Sequence, residues 1–202
     1  LTVSALNADV TTVDASGMAT GGSFIQTGRS ATDASTYTGS AGDDTFIMMN
    51  KDDAINGGEG ADTLDVNFTS VIGGMAIDLN ATGDQITTFN GAANAAVQTG
   101  FQHVDLSGYT GNGAEITANA KGSTITGTAA ADSITLGAGA DTVNFTTGAS
   151  QDTISGFTVN SDKLGFAGIA GIDGTTADAV DVAANAASTD LTDGKIIVFA
   201  DG

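Results

Sequence analysis

The 202-residue chain carries 24 acidic side chains against 5 basic ones, a formal net charge of −19, with one histidine and no cysteine, proline or tryptophan. That balance argues against nucleic-acid and anionic-membrane binding, which need clustered Lys and Arg, and the missing thiols exclude a disulfide framework or a zinc-thiolate site. Hydrophobic residues make up 41% but aromatics only 5%, so the core must be thin, and no run approaches the ~18 apolar residues of a membrane span.

Leu1 opens in mid-pattern, without an initiator Met or a basic, apolar leader, so a piece of a longer chain is expected. Val13-Asp14-Ala15-Ser16-Gly17 is the first recognisable motif. From Gly39 a nine-residue register begins, running through Gly39 to Ile47, Met48 to Asn56 and Gly57 to Asp65. Asp44, Asp53 and Asp62 hold its sixth place, and Phe46, Ile55 and Leu64 its eighth. Alternating apolar residues over 63–68 and 75–79 predict short strands, bounded by Gly and Asn turn signals. A short turn of helix is predicted within 89–97.

Val104-Asp105-Leu106-Ser107-Gly108 then repeats the earlier motif. A second run follows, with Asp132 and Ile134 in Gly127 to Thr135, and Asp141 and Val143 in Leu136 to Asn144. After a two-residue insertion come Asp152 and Ile154, with a looser echo at Asp162 and Leu164. Tyr37 to Ala41 aligns with Ile125 to Ala129, so two related modules are expected. They are 1–90, with its run over 39–65, and 91–202, with its run over 127–164 and a cap over 165–202. The cap is predicted as an Ala-rich helix over 176–187, with Thr175 or Asp173 at its N-cap, and an apolar strand over 194–199.

Nine residues suffice for a six-residue turn and a three-residue strand, so two copies make one coil and alternate copies stack. Glycines in the turn let the backbone adopt positive φ and aim its carbonyls at a common point, where the sixth-place aspartate adds a carboxylate. Calcium takes about six to eight oxygen ligands, and two such stacked turns can supply them. The candidate metal positions are Gly39, Ala41, Gly42, Asp44 and Asp53, then Gly57, Gly58, Glu59, Gly60 and Asp62. In the second run they are Gly127, Ala129, Asp132, Gly137, Gly139, Asp141, Asp152 and Asp162. The spacing predicts that Asp44 and Asp62 share one ion, with Asp53 on the opposite edge. Asp132 is expected to pair with Asp152, and Asp141 with Asp162. Without ions the stacked acids should repel one another, and folding is expected to need calcium.

Gly57-Gly58-Glu59-Gly60-Ala61-Asp62-Thr63-Leu64-Asp65 resembles in full the repeats-in-toxin (RTX) nonapeptide. Gly39 to Ile47 lacks only its second Gly and Leu136 to Asn144 only its first; Met48 to Asn56 and Gly127 to Thr135 depart further. The Val-Asp-x-Ser-Gly motifs, with Asp152 to Phe157 and Asp162-Lys163-Leu164, resemble bacterial surface-layer proteins. These resemblances imply an all-β fold, a right-handed parallel β-roll or β-solenoid with a small C-terminal helix and capping strand. They also imply Ca2+ as cofactor, type I export through an uncleaved C-terminal signal, and self-association into a lattice on the bacterial cell surface. Cell-surface polysaccharide is a further candidate partner; nucleic acid and membrane insertion are not expected. The alternative is the non-catalytic C-terminal RTX folding and export module of a secreted enzyme, or an RTX adhesin.

His103 stands alone, and one imidazole without cysteine makes a poor transition-metal site, so it reads as a strand residue. No Gly-x-Ser-x-Gly, His-Glu-x-x-His or Gly-x-x-x-x-Gly-Lys motif occurs. The acid pairs Asp43-Asp44 and Asp52-Asp53 would be held ionised on calcium, unsuited to proton transfer. A structural rather than catalytic role is expected.

Overall fold

A computed structural model describes residues 2–4, 10–18, 24–27, 34–68, 73–146, 150–158 and 160–166. Among these residues the secondary structure is strands and turns, with no helix. The strands are β1 (Thr2–Ser4), β2 (Thr12–Asp14), β3 (Ile25–Thr27), β4 (Thr36–Thr38), β5 (Thr45–Met48), β6 (Ala54–Asn56) and β7 (Asp62–Val66). Next come β8 (Met75–Asp78), β9 (Ile86–Phe89), β10 (Ala92–Ala93), β11 (Gln98–Thr99) and β12 (Phe101–Asp105). The last are β13 (Ala114–Thr117), β14 (Thr124–Thr126), β15 (Ser133–Thr135), β16 (Thr142–Asn144), β17 (Thr153–Ser155) and β18 (Lys163–Gly165).

One parallel sheet of eight strands runs in the order β1-β3-β5-β7-β12-β14-β16-β18. The intervening strands form a four-stranded sheet, β11-β6-β4-β2, and a six-stranded one, β10-β9-β8-β13-β15-β17. The chain therefore crosses between faces and advances one strand per coil, which is the parallel β-solenoid that the nine-residue register predicts.

Side chains alternate along a strand, so a three-residue strand sends only its middle residue inward. Phe46, Leu64, Val104, Ile125, Val143 and Leu164 accordingly stack in register through the long sheet. Ile77, Ile116, Ile134 and Ile154 do so in the six-stranded sheet. One inward residue per three-residue strand makes a thin core, the longer strands add Met48 and Val66, and the few aromatics thicken it locally. Phe46 has the Phe24, Tyr37 and Phe101 rings at 5.3, 6.2 and 6.1 Å, while Phe68 meets Phe89 and Tyr109, each at 5.6 Å.

The two Val-Asp-x-Ser-Gly motifs fold alike. Asp14 Oδ1 accepts the Ser16 N–H and Asp105 Oδ1 the Ser107 N–H, both at 2.9 Å, so each is an Asx turn leaving a strand. Yet Val13 lies in the four-stranded sheet and Val104 in the long one. The duplicated segments are thus half a coil out of phase.

The phase slips in the segment between β8 and β12, where a turn of helix is predicted over 89–97. The structure corrects this: β9 runs antiparallel to both β8 and β10. Asn90 and Gly91 have φ of 52° and 72°, the pair of positive values that a two-residue hairpin turn requires, and Asn-Gly is its strongest sequence signal. Two buried glutamines seal the seam. Gln85 Nε2 donates to Leu79 O (3.0 Å) and Phe101 O (2.8 Å), and its Oε1 accepts the Phe101 N–H (2.8 Å). Gln98, in register with Ile55, donates from Nε2 to Asp53 O at 2.6 Å. The helix expected over 176–187 and the strand over 194–199 lie outside the described residues.

Candidate metal centre

Asp44, Asp53, Asp62, Asp132, Asp141 and Asp162 are buried where their links enter a strand, and Asp152 is half-buried. Each sends Oδ1 back one coil to a backbone N–H. Asp44 accepts from Phe24, Asp53 from Ser35, Asp62 from Asp44 and Asp132 from Ala114. Asp141 accepts from Ser123, Asp152 from Asp132 and Asp162 from Asp141. The step from Asp44 to Asp62 is 18 residues; from Asp132 to Asp152 it is 20, and from Asp141 to Asp162 it is 21. The residues paired by spacing therefore do stand one coil apart, joined by an N–H rather than left as bare facing charges. Hydrogen bonds to a charged group contribute about 1.5–3 kcal/mol each, which offsets part of the repulsion between stacked acids.

The second oxygen separates the turns. Oδ2 of Asp44, Asp53, Asp132, Asp141 and Asp162 accepts an N–H from its own turn, donated by Ser40, Asn50, Thr128, Gly137 and Thr158 respectively. Ser40 and Thr128 also donate hydroxyls to Oδ1 of Asp44 and Asp132, at 2.9 and 2.8 Å. Asp62 differs. The residue is 0% exposed, and its Oδ2 has no hydrogen-bond partner among the described residues. Gly58 and Gly60 of its turn adopt φ of 105° and 120°, and the Gly58 N–H goes to Asn56 Oδ1 at 3.2 Å instead. A Cβ built on Gly57 would lie 2.7 Å from Asp62 Oδ2 and 2.8 Å from the Gly100 carbonyl oxygen. Two oxygens thus converge on one cradle.

Burial pushes the Asp62 carboxyl up to about 7; the Asp44 N–H works against this, and the Asp44 and Asp43 charges reinforce it. Burial likewise raises Asp152 to about 6, and raises Asp141.

The other candidate positions frame these carboxylates. Gly39, Ala41 and Gly42 form the turn before Asp44; Gly57, Gly58, Glu59 and Gly60 form that before Asp62, with the Glu59 side chain exposed. Gly127 and Ala129 precede Asp132, and Gly137 and Gly139 precede Asp141. Asp44, Asp62, Asp141 and Asp162 lead into the long sheet, Asp53 into the four-stranded sheet, and Asp132 and Asp152 into the six-stranded sheet. Asp53 is therefore on the edge opposite Asp44 and Asp62, as its spacing predicts. Among the described residues no three acid or imidazole side chains converge, so an ion here needs main-chain carbonyls for most of its ligands. A buried carboxylate oxygen without a donor, beside a carbonyl, is the donor type that calcium takes.

Residues 38–68 and 117–152 match the family model for the RTX calcium-binding nonapeptide repeat (4 copies). The chain carries RTX repeats. Their ion is Ca2+. The matched segments hold Asp44, Asp53 and Asp62, then Asp132, Asp141 and Asp152. Asp162 lies beyond them, yet it stacks on Asp141 in the same way. No curated protein and no solved structure gives a significant match.

Three further residues hold these aspartates and escape a reading of spacing. Ser40 and Thr128 both hold the second place of a copy, and that coincidence was the available signal. Gln102 carried none: its Oε1 takes the Asp62 N–H at 2.7 Å, where the next coil would otherwise bring an aspartate. The register of β12 shifts at this point, between Phe101 and His103. His103 accepts the Thr124 N–H on Nδ1 at 2.8 Å, and burial lowers its pKa against the pull of Asp43, as suits a neutral strand residue.

Proposed function

We propose that this chain is a structural, non-catalytic part of a bacterial surface-layer protein or related surface assembly. It folds on meeting calcium outside the cell after type I export, and associates with its own copies into a lattice that cell-surface polysaccharide anchors. The observation that carries this reading is the unbroken eight-stranded sheet, edged by stacked aspartate turns and running through both RTX runs. Such a stack makes a stiff spacer whose shape calcium can govern. The Asx turns at Asp14 and Asp105 add support, because the strands they end carry the surface-layer resemblance.

Electron microscopy of the chain with and without millimolar calcium tests the proposal. Ordered sheets that appear with calcium and dissolve with chelator are expected. Monodisperse particles at every calcium level would overturn the lattice reading and favour a folding and export module of a secreted enzyme.

A further inference from the structure

Aspartate spacing alone places an ion between Asp44 and Asp62, but the two oxygens of Asp62 are divided differently. Oδ1 is committed to the Asp44 N–H of the preceding coil at 2.8 Å. Oδ2 faces the following coil, where the cradle at Gly57 also meets the carbonyl of Gly100, on the link between β11 and β12.

The chain contains its own control. Around Gly39, a built Cβ would likewise meet both Asp44 Oδ2 and the Gly57 carbonyl of the following coil. There the Ser40 N–H and hydroxyl both donate to the carboxylate. Thr128 serves Asp132 in the same two ways. At Asp62 the corresponding residue is Gly58, whose left-handed backbone sends its N–H to Asn56. What remains is a buried carboxylate oxygen that accepts no hydrogen bond among the described residues and shares its cradle with a carbonyl oxygen. Such a pair gains from a cation, whereas a carboxylate already held by N–H and hydroxyl groups gains less.

We infer that the RTX turns of this chain are unequal, and that its tightest calcium site lies between Asp62 Oδ2 and the Gly100 carbonyl, at the seam where the hairpin joins the stack. The turns closed by Ser40 and Thr128 hold their shape without the ion. The inference rests on the calcium assignment of the repeats and adds where along the stack the ion matters most. An ion there ties the turn before β7 to the link before β12, and so fastens the first run to the second.

Isothermal titration calorimetry of the chelator-stripped 202-residue chain with calcium chloride tests it. Asp62→Asn is expected to weaken the tightest step at least about tenfold, and Asp132→Asn to change it less than about threefold. Gly58→Ser keeps every carboxylate. Its new Cβ would collide with the Ser40 carbonyl in the present turn, so the turn must take the closed form seen at Ser40. That variant is expected to lose affinity as Asp62→Asn does, with its β circular dichroism unchanged, and it decides the matter alone if Asp62→Asn does not fold. Equal losses in the two aspartate variants, or wild-type affinity in Gly58→Ser, would overturn the inference. A wild-type chain that takes up no calcium would overturn the calcium assignment instead.

Discussion

Gln85→Met tests whether the seam carries the continuity of the stack. The substitution keeps side-chain length and volume and removes three hydrogen bonds from a residue that is 3% exposed. Leu79 O retains a donor, because Asn119 Nδ2 also reaches it at 2.7 Å. The loss therefore falls on Phe101, whose N–H and carbonyl are both held by Gln85. Leaving two buried main-chain groups without partners costs about 1–3 kcal/mol each, so a total of roughly 2–6 kcal/mol is expected. Urea unfolding in saturating calcium measures it. With a slope of about 2 kcal/mol/M, the midpoint should fall by about 1–3 M with the slope unchanged. A shift below about 0.5 M would mean that water or local rearrangement satisfies Phe101, and the glutamine would then not be what seals the seam.

Circular dichroism of the chelated chain at neutral pH should show a reduced β signal, from the turns that hydrogen bonds alone hold, and millimolar calcium should restore the rest; an unchanged spectrum would separate folding from the ion. The metal-free fold should also be acid-favoured. Asp62 is raised to about 7, and Asp152 and Asp65 to about 6, from an ordinary 3.8. For Asp65 the cause is burial first, then the charge of Asp105, its register partner in β12. The folded chain keeps protons that the unfolded chain releases, so stability present near pH 4 is lost as pH rises through about 6–7. The Tm in chelator should fall from about pH 5 to about pH 8, and a flat or rising profile would contradict the burial of these acids. Phe46→Ala, at the centre of four packed rings, should cost about 3–5 kcal/mol by urea unfolding in calcium, while loss below about 1 kcal/mol would show that the layer collapses to fill the space.

What could be read from the chain is what repeats within a coil. The inward residue, the aspartate edge and the 18-residue stacking partner each follow from a nine-residue register, because strand alternation and turn length are local properties. Even the weak echo at Asp162 and Leu164 proves to be a coil, with Leu164 stacked on Val143. The phase slip between the halves depends on contacts that no local pattern carries. Gln85 reaches Phe101 across 16 residues and Gln98 reaches Asp53 across 45. A lone glutamine looks the same whether it is solvated or seals a seam. The Asn90-Gly91 hairpin was legible, since that dipeptide outweighs the alanines around it.

The second place of the repeat is the subtler case. Against the consensus, Ser40 and Thr128 look like lapses from glycine, and so like weaker copies of one metal site. In the fold they hold an N–H and a hydroxyl against the same carboxylate that glycine leaves open at Asp62. Departure from the motif is thus a different way of satisfying a buried charge. A stack that mixes both kinds of turn can keep part of its shape in hydrogen bonds, and leave the rest to the ion.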